Sequence, residues 1–421
     1  MTAPTQGIRG MNDVCPVDMP YWHQLEALAR DTLSRYCYSE IRLPVVEKTD
    51  LFCRTIGEVT DIVEKEMYTF QDRNGDSLSL RPEGTAGCVR AGIQQGLLYN
   101  QVQRLWYTGP MFRHERPQKG RYRQFFQMGV EAFGLPGPEI EAEQLLLFWR
   151  LLKALGLSDQ VTLEINTLGS PECRQQYREQ LVAYFESHRE ALDEESLRRL
   201  DQNPLRLLDS KHPDMQSLLA QAPVMGDCLS DASQAHFQRL LTLLDHAGVP
   251  YQCNPRLVRG LDYYCHTVYE WTTSQLGAQG TVCAGGRYDG LVKRLGGKPT
   301  PAVGFAMGLE RLVLLLQQQA TLQEVPDVYI ILVGEPAMTQ GVVLAEQLRE
   351  AIPSLRVMMQ ASAASMKSQF KQADNSGAQW ACIIGETECE SNTITLKHLR
   401  DRECQQQSLS LSSLMEFFKG V

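Results

Sequence analysis

Residues 104–131 read RLWYTGPMFRHERPQKGRYRQFFQMGVE. From Arg104 to Arg123 the stretch carries six cations (Arg104, Arg113, Arg116, Lys119, Arg121, Arg123) against one acid, Glu115, a local charge of +5 in a chain of net charge −9. A cationic island on an acidic protein is a local field for anions. Its middle, Pro117, Gln118, Lys119 and Gly120, is turn chemistry. Its flanks, from Leu105 to Tyr107 and from Phe125 to Phe133, are apolar and aromatic enough for buried strands. The pattern predicts a long-looped antiparallel hairpin with guanidinium groups at both mouths of the loop. Guanidinium forks suit phosphate oxygens, and Phe125 offers a flat face to a purine. A solvated hairpin with a basic loop would have a similar composition, so the surrounding sequence has to decide.

A chain of 421 residues exceeds what one core usually supports and implies two or three domains. Apolar residues at 43% and charged residues at 22% place it among ordinary globular proteins. The amino-terminal residues lack the apolar core of a signal peptide, and no run approaches a membrane span, so a cytoplasmic protein without a membrane partner is expected. Twelve cysteines occur without any C-x-x-C spacing and read as reduced thiols, with no metal site expected.

Helical spacing covers residues 20–36. A proline-interrupted strand follows over residues 38–46, suited to a sheet edge. A second hairpin runs from Met67 to Leu80 about Asn74-Gly75, the strongest short hairpin signal. A helix is predicted over 139–155, strands over 161–166, 256–258, 267–272 and 281–283, and a strand-poor helical stretch over 171–245. Beyond Pro326 the texture becomes short β/α alternation, with strands at 328–333, 356–358, 381–384 and 393–396 and helices at 338–351 and 365–375. Such alternation implies a small α/β domain with a mixed sheet.

The chain lacks G-x-x-x-x-G-K-[ST] and G-x-G-x-x-G, so any ATP site must be built from arginines on an antiparallel sheet. Arg311 begins the apolar run that ends at Leu316, after the small-residue stretch from Ala302 to Gly308. Close strand–helix packing explains the glycines, but a buried arginine still needs a partner.

Arg113-x-Glu115, the loop, Arg121-x-x-x-Phe125 and Glu131 resemble motif 2 of the class II aminoacyl-tRNA synthetases. Residues 38–52 resemble motif 1, and residues 302–311 motif 3. Leu-Arg-Pro-Glu-Gly-Thr at 80–85 and Arg-Gly-Leu-Asp-Tyr-Tyr at 259–264 are similar to signatures of the histidyl-tRNA synthetase family. This resemblance extends over nearly the whole chain. It departs from the family at Cys265-His266 and at residues 361–364, which lack the glycines common there.

The resemblance implies an α+β fold: a class II antiparallel sheet flanked by helices over residues 1–325, with a helical insertion at about 171–229. Residues 326–421 would form an α/β anticodon-binding domain. It implies a homodimer built through motif 1, a histidine–tRNA ligase activity, and ATP, Mg2+, L-histidine and tRNA-His as partners. Arg113, Glu115, Arg121, Phe125 and Arg311 would bind ATP, with adenine sandwiched between Phe125 and Arg311.

Glu83 and Thr85, after an Arg-Pro pair prone to a cis bond or a turn, suit an α-ammonium group. Gln127 and Glu131 alternate with Phe125 on one strand face and point toward the same site. An imidazole needs partners on both nitrogens, which Glu131 and Tyr264 could supply, with Tyr263 and Tyr288 beside them. A strand-end ion pair is the alternative reading of Glu131.

Arg259 would join Arg113 at the α-phosphate and also touch histidine; the alternative for Arg259 is an ion pair with Asp262. Arg116, Lys119 and Arg123 exceed what ATP can use and are expected to meet tRNA. The rival function is a catalytically inactive, synthetase-like regulatory paralogue of histidine biosynthesis.

Overall fold

The computed structural model describes residues 5–57, 60, 62–209, 212, 215–277, 280–360, 364–401 and 403–420. The loop at 361–364 therefore lies almost wholly outside the described residues. The chain divides into two compact units, Met1–Thr321 and Leu322–Val421.

In chain order, the first unit contains α1 (Met19–Arg35), β1 (Ser39–Glu40), β2 (Val46–Lys48), α2 (Thr49–Ile56), β3 (Thr69–Gln71), β4 (Ser77–Leu80) and α3 (Thr85–Gln94). Next come β5 (Gln103–Phe112), β6 (Gln124–Phe133), α4 (Glu139–Ala154) and β7 (Thr162–Thr167). Three helices, α5 (Pro171–Glu186), α6 (Glu194–Gln202) and α7 (Gln216–Gln221), occupy the expected insertion, and α8 (Asp231–Ala247) returns the chain to the sheet. The unit closes with β8 (Tyr251–Cys253), β9 (Cys265–Thr272), β10 (Thr281–Arg287), α9 (Leu291–Arg294), β11 (Ala302–Gly308) and α10 (Leu309–Gln319).

Among the described residues, eight strands form one sheet in the order β1-β5-β6-β11-β10-β9-β7-β8. Its central strands are antiparallel, and the expected long hairpin is β5 and β6, paired from Gln103 opposite Phe133 to Phe112 opposite Gln124. The alternation of β6 sorts its side chains. Phe126 turns to one face and meets Trp22 of α1 edge-on at 5.5 Å. On that face Gln144 of α4 donates to the Val303 carbonyl, and Phe148 packs against Phe305 and Trp271. Phe125, Gln127, Gly129 and Glu131 occupy the other face, where the cavity lies.

Two strand expectations need correction. Residues 38–46 are not one strand: β1 adds two residues to the large sheet, parallel to β5, while β2 joins a separate sheet in the order β2-β4-β3. Pro44, lacking an N–H, lies in the break between them. Residues 256–258 are not a strand; they leave a turn at Pro255-Arg256. The strand is instead β8, because Asn254-Pro255 ends it: Asn254 Oδ1 accepts from the Arg256 N–H at 3.0 Å and its carbonyl from the Leu257 N–H at 3.0 Å.

The second unit contains β12 (Val328–Leu332), α11 (Glu335–Ala351), β13 (Val357–Met359), α12 (Met366–Asn375), β14 (Trp380–Ile384), α13 (Glu386–Ser391), β15 (Ile394–His398), β16 (Gln407–Leu409) and α14 (Leu411–Lys419). Its sheet, in the order β13-β12-β14-β15-β16, is mixed: β12 runs parallel to β13 and β14, while β15 is antiparallel to β14. β16, α13 and α14 were not expected. Helix α11 begins at Glu335, earlier than its apolar spacing indicates, because Pro336 in the first turn is compatible with a helix start. Among the described residues no helix is long and apolar enough to cross a membrane.

Candidate active site

A cavity of about 280 Å³ opens on the sheet face opposite α1 and α4. Small residues make the room. β11 pairs with β6 so that Gly304 faces Glu131, Ala306 faces Gly129 and Gly308 faces Gln127. A Cβ on Gly304 would lie 1.7 Å from Glu131 Oε2, and one on Gly129 would lie 2.1 Å from the Tyr107 ring. The small residues of β11 therefore clear the cavity floor as well as bringing strand and helix together.

The floor is polar and buried. Glu131 is fully buried and accepts hydrogen bonds from Thr85 Oγ1 at 2.8 Å and Tyr107 OH at 3.0 Å, and from the Tyr288 hydroxyl on its other oxygen. Burial pushes its carboxyl up to about 8, against the pull of these hydroxyls. Three hydroxyls, from β5, the start of α3 and the residue after β10, thus meet at the one carboxylate of β6. Glu131 is not in a strand-end ion pair.

Glu83 caps α3: its carboxylate accepts from the Thr85 N–H at 2.6 Å and the Ala86 N–H at 3.0 Å. A carboxylate at a helix start complements the helix dipole, although burial raises its pKa. The rings of Tyr263 and Tyr264 lie tilted against each other, 4.7 Å between centres, and both are buried beside the floor. Gln127 lines the wall above it.

The opposite end is cationic. Arg113, Arg121, Arg259 and Arg311 all border the cavity. Arg113 Nε donates to the Pro82 carbonyl at 2.8 Å, and its guanidinium lies 5.4 Å over the Phe125 ring. Burial pushes the Arg113 and Arg311 guanidinium groups below the ordinary arginine range. Arg121 pairs with Glu115. Arg311, the third residue of α10, donates to the carbonyls of Gly120 and Thr281, the partners its burial requires.

One local reading differs here. Arg259 pairs with Glu270 of β9 and not with Asp262. Asp262 instead accepts from Asn203 of the insertion at 2.7 Å. The Arg113 guanidinium lies over the Phe125 ring, and Arg311 reaches the carbonyls of Gly120 and Thr281. Glu270 could not be read from spacing as the partner, because it lies on β9, beyond the irregular segment that carries Arg259.

The loop cations separate into two kinds. Arg116 and Lys119 are exposed. Arg123 is tied down, donating to the Glu115 carbonyl at 3.1 Å and the Arg9 carbonyl at 3.5 Å. Tyr107 was missed in the sequence. Its signal is the pairing of a tyrosine with Gly129 across the hairpin, which leaves its ring the space a side chain would fill.

This juxtaposition of a buried carboxylate–hydroxyl floor with an arginine-lined end suits a small polar substrate beside a polyphosphate. A family model described as histidyl-tRNA synthetase matches residues 10–312. The chain belongs to the histidyl-tRNA synthetase family. A second model, described as an anticodon binding domain, matches residues 327–420. The apo histidyl-tRNA synthetase of S. aureus is similar over 99% of this chain and 100% of its own, at 34% identity and a TM-score of 0.82. A histidyl-tRNA synthetase from Nostoc sp. PCC 7120 shares the fold over 99% of each chain, at 19% identity and a TM-score of 0.72. The fold also matches an ATP phosphoribosyltransferase regulatory subunit/histidyl-tRNA synthetase from Bacillus halodurans C. That match covers 90% of this chain and 97% of its own, at 21% identity and a TM-score of 0.66. The large antiparallel-rich sheet with its helices and the separate carboxy-terminal sheet are those of a class II histidyl-tRNA synthetase.

Proposed function

We propose that the chain is a cytoplasmic histidine–tRNA ligase that works as a homodimer. Histidine enters the floor of the cavity and ATP its cationic end. The observation that carries this reading is Glu131, a buried carboxylate ringed by hydroxyls at the foot of an arginine-lined cavity. A neutral or protonated imidazole offers N–H donors that such a group can accept. A site built to pair buried polar atoms rejects analogues lacking them by about 10⁴–10⁵.

Activation needs no nucleophile from the enzyme. The histidine carboxylate oxygen attacks the α-phosphorus of ATP, a new P–O bond forms, and pyrophosphate departs with the electrons of the broken P–O bond. Positioning and charge stabilisation then supply the rate. Arg113 and Arg259 flank the α-phosphate, Arg121 and Arg311 the outer phosphates, and Glu83 with Thr85 and Gln127 hold the α-ammonium group. In the second step a terminal ribose hydroxyl of tRNA-His attacks the acyl carbon and AMP leaves. The anticodon-binding unit engages the far end of the tRNA.

Mg2+ accompanies ATP, and bound there it neutralises the pyrophosphate end. Mg2+ is commonly held by one or two carboxylates together with phosphates, and Glu270 and Glu310, which border the cationic end, would supply such ligands. A regulatory paralogue would bind histidine without using the arginines. Incubating the full chain with ATP, radiolabelled histidine and tRNA-His separates the readings. A ligase forms acid-precipitable histidyl-tRNA, whereas an absence of product at any enzyme concentration overturns the ligase.

A further inference from the structure

Behind the cavity floor, on the side of the sheet covered by α4 and α8, three metal-ligating side chains converge. One ligand atom from each of Cys265, His266 and Asp289 lies within 4.8 Å of the others, the one such group among the described residues. No sequence spacing pointed to it, because Asp289 arrives from the turn after β10.

The backbone is bent to make this group. Adjacent strand residues normally point to opposite faces. His266 has a φ of +47°, in the left-handed region that a residue with a Cβ enters uncommonly. The ladder between β9 and β10 also slips between Gly286 and Arg287, opposite Cys265. The strain secures no hydrogen bond for the ring atom it buries: His266 Nδ1 has no hydrogen-bond partner. Strained backbone held by its surroundings clusters at functional sites.

The surrounding charges favour a cation. Arg287 lies between the carboxylates of Glu141 and Asp289, so these three groups together carry one negative charge in excess, and His236 meets Glu141 at 2.8 Å. A divalent ion bound to a Cys265 thiolate brings one net positive charge and cancels that excess. Asp289 is pre-positioned, since its Oδ1 accepts from the Ala302 N–H at 2.8 Å and from Arg287 at 3.1 Å.

We infer that Cys265, His266 and Asp289 form a binding site for a divalent cation of the zinc class. Sulfur, imidazole and carboxylate ligands suit zinc, cobalt and their neighbours better than Mg2+ or Ca2+, which prefer oxygen alone. Tetrahedral bonds of about 2.0–2.3 Å hold ligand atoms about 3.5 Å apart, so the group has to close by roughly 1 Å. Three protein ligands leave a fourth position for water. Binding exchanges the thiol proton of Cys265 for a metal–sulfur bond and releases that proton to solvent.

The test uses the full chain, stripped with a chelator and titrated with Co2+. The expected result is one equivalent bound with a near-ultraviolet thiolate-to-cobalt charge-transfer band, displaced by Zn2+ and lost in a folded Cys265→Ser variant. Because the chain has twelve cysteines, alkylation mapped by mass spectrometry reads Cys265 directly in the wild-type protein. One equivalent of Zn2+ should slow its labelling at least about tenfold, since the metal-bound thiolate is occupied. Absence of the band, its persistence in folded Cys265→Ser, or unchanged labelling of Cys265 overturns the site. The labelling result decides if the variant does not fold.

Discussion

Thr85 donates a hydrogen bond to Glu131 at 2.8 Å, joining the first residue of α3 to β6 across a buried polar floor. The carboxylate it meets titrates unusually, because burial lifts it from 4.5 to about 8. Within that window the folded chain keeps a proton that the unfolded chain has lost. Glu131's contribution to stability is therefore full below pH 4.5 and is lost as pH rises through about 8. The steepest slope should be about 1 kcal/mol per pH unit. Glu131→Gln keeps the size and an acceptor but does not titrate, so its Tm should decline less over this range. Parallel Tm profiles for the two proteins would remove Glu131 as the group responsible.

Arg259→Ala should slow histidyl-adenylate formation by about two to three orders of magnitude, the usual loss for a preorganised charge-stabilising donor. The loss should fall on the single-turnover rate more than on ATP affinity. Because Arg259 pairs with Glu270, the variant also leaves a carboxylate without its partner and should melt earlier. Adding Glu270→Gln should recover the Tm and leave the rate low. A single variant with near-normal adenylate formation takes Arg259 out of the mechanism.

The parts legible in sequence were those fixed by local pattern. The alternation of β5 and β6, the Asn74-Gly75 turn and the arginines of residues 104–131 announced both the hairpin and the cavity it carries. Contacts set by register were not legible. Tyr107 reaches Glu131 because Gly129 lies opposite it, and Asp289 reaches Cys265 from the next strand's end. The strand placed at 256–258 failed for a local reason, since the Asn254-Pro255 turn outweighs the apolar residues that follow. At α11, capping chemistry outran the apolar period that had set its predicted start.

Arg116 and Lys119 are exposed, with charge to spare for a polynucleotide. Neutralising either should weaken tRNA-His binding and reduce the slope of log affinity against log salt by about 1. Arg123→Gln should behave differently, because it also releases the backbone of Arg9 and Glu115. Filter binding over a salt series checks this. Unchanged binding at low salt for both exposed variants would reduce the loop to an ATP lid.

The homodimer rests on an unpaired edge. β2 is an outer strand of its small sheet, and Val46 and Phe70 on that sheet are 38% and 45% exposed. Such edges are normally covered. Light scattering at micromolar concentration should give twice the 47.5 kDa mass of the chain. A stable monomer there would contradict the assignment.

The central claim is that one cavity holds histidine at Glu131 and the α-phosphate at Arg113 and Arg259. Histidine-dependent exchange of labelled pyrophosphate into ATP, without tRNA, measures that chemistry alone. The account predicts exchange that requires histidine, fails with phenylalanine, and falls sharply in both Glu131→Gln and Arg259→Ala. A folded wild-type chain that binds histidine yet exchanges no pyrophosphate would contradict it.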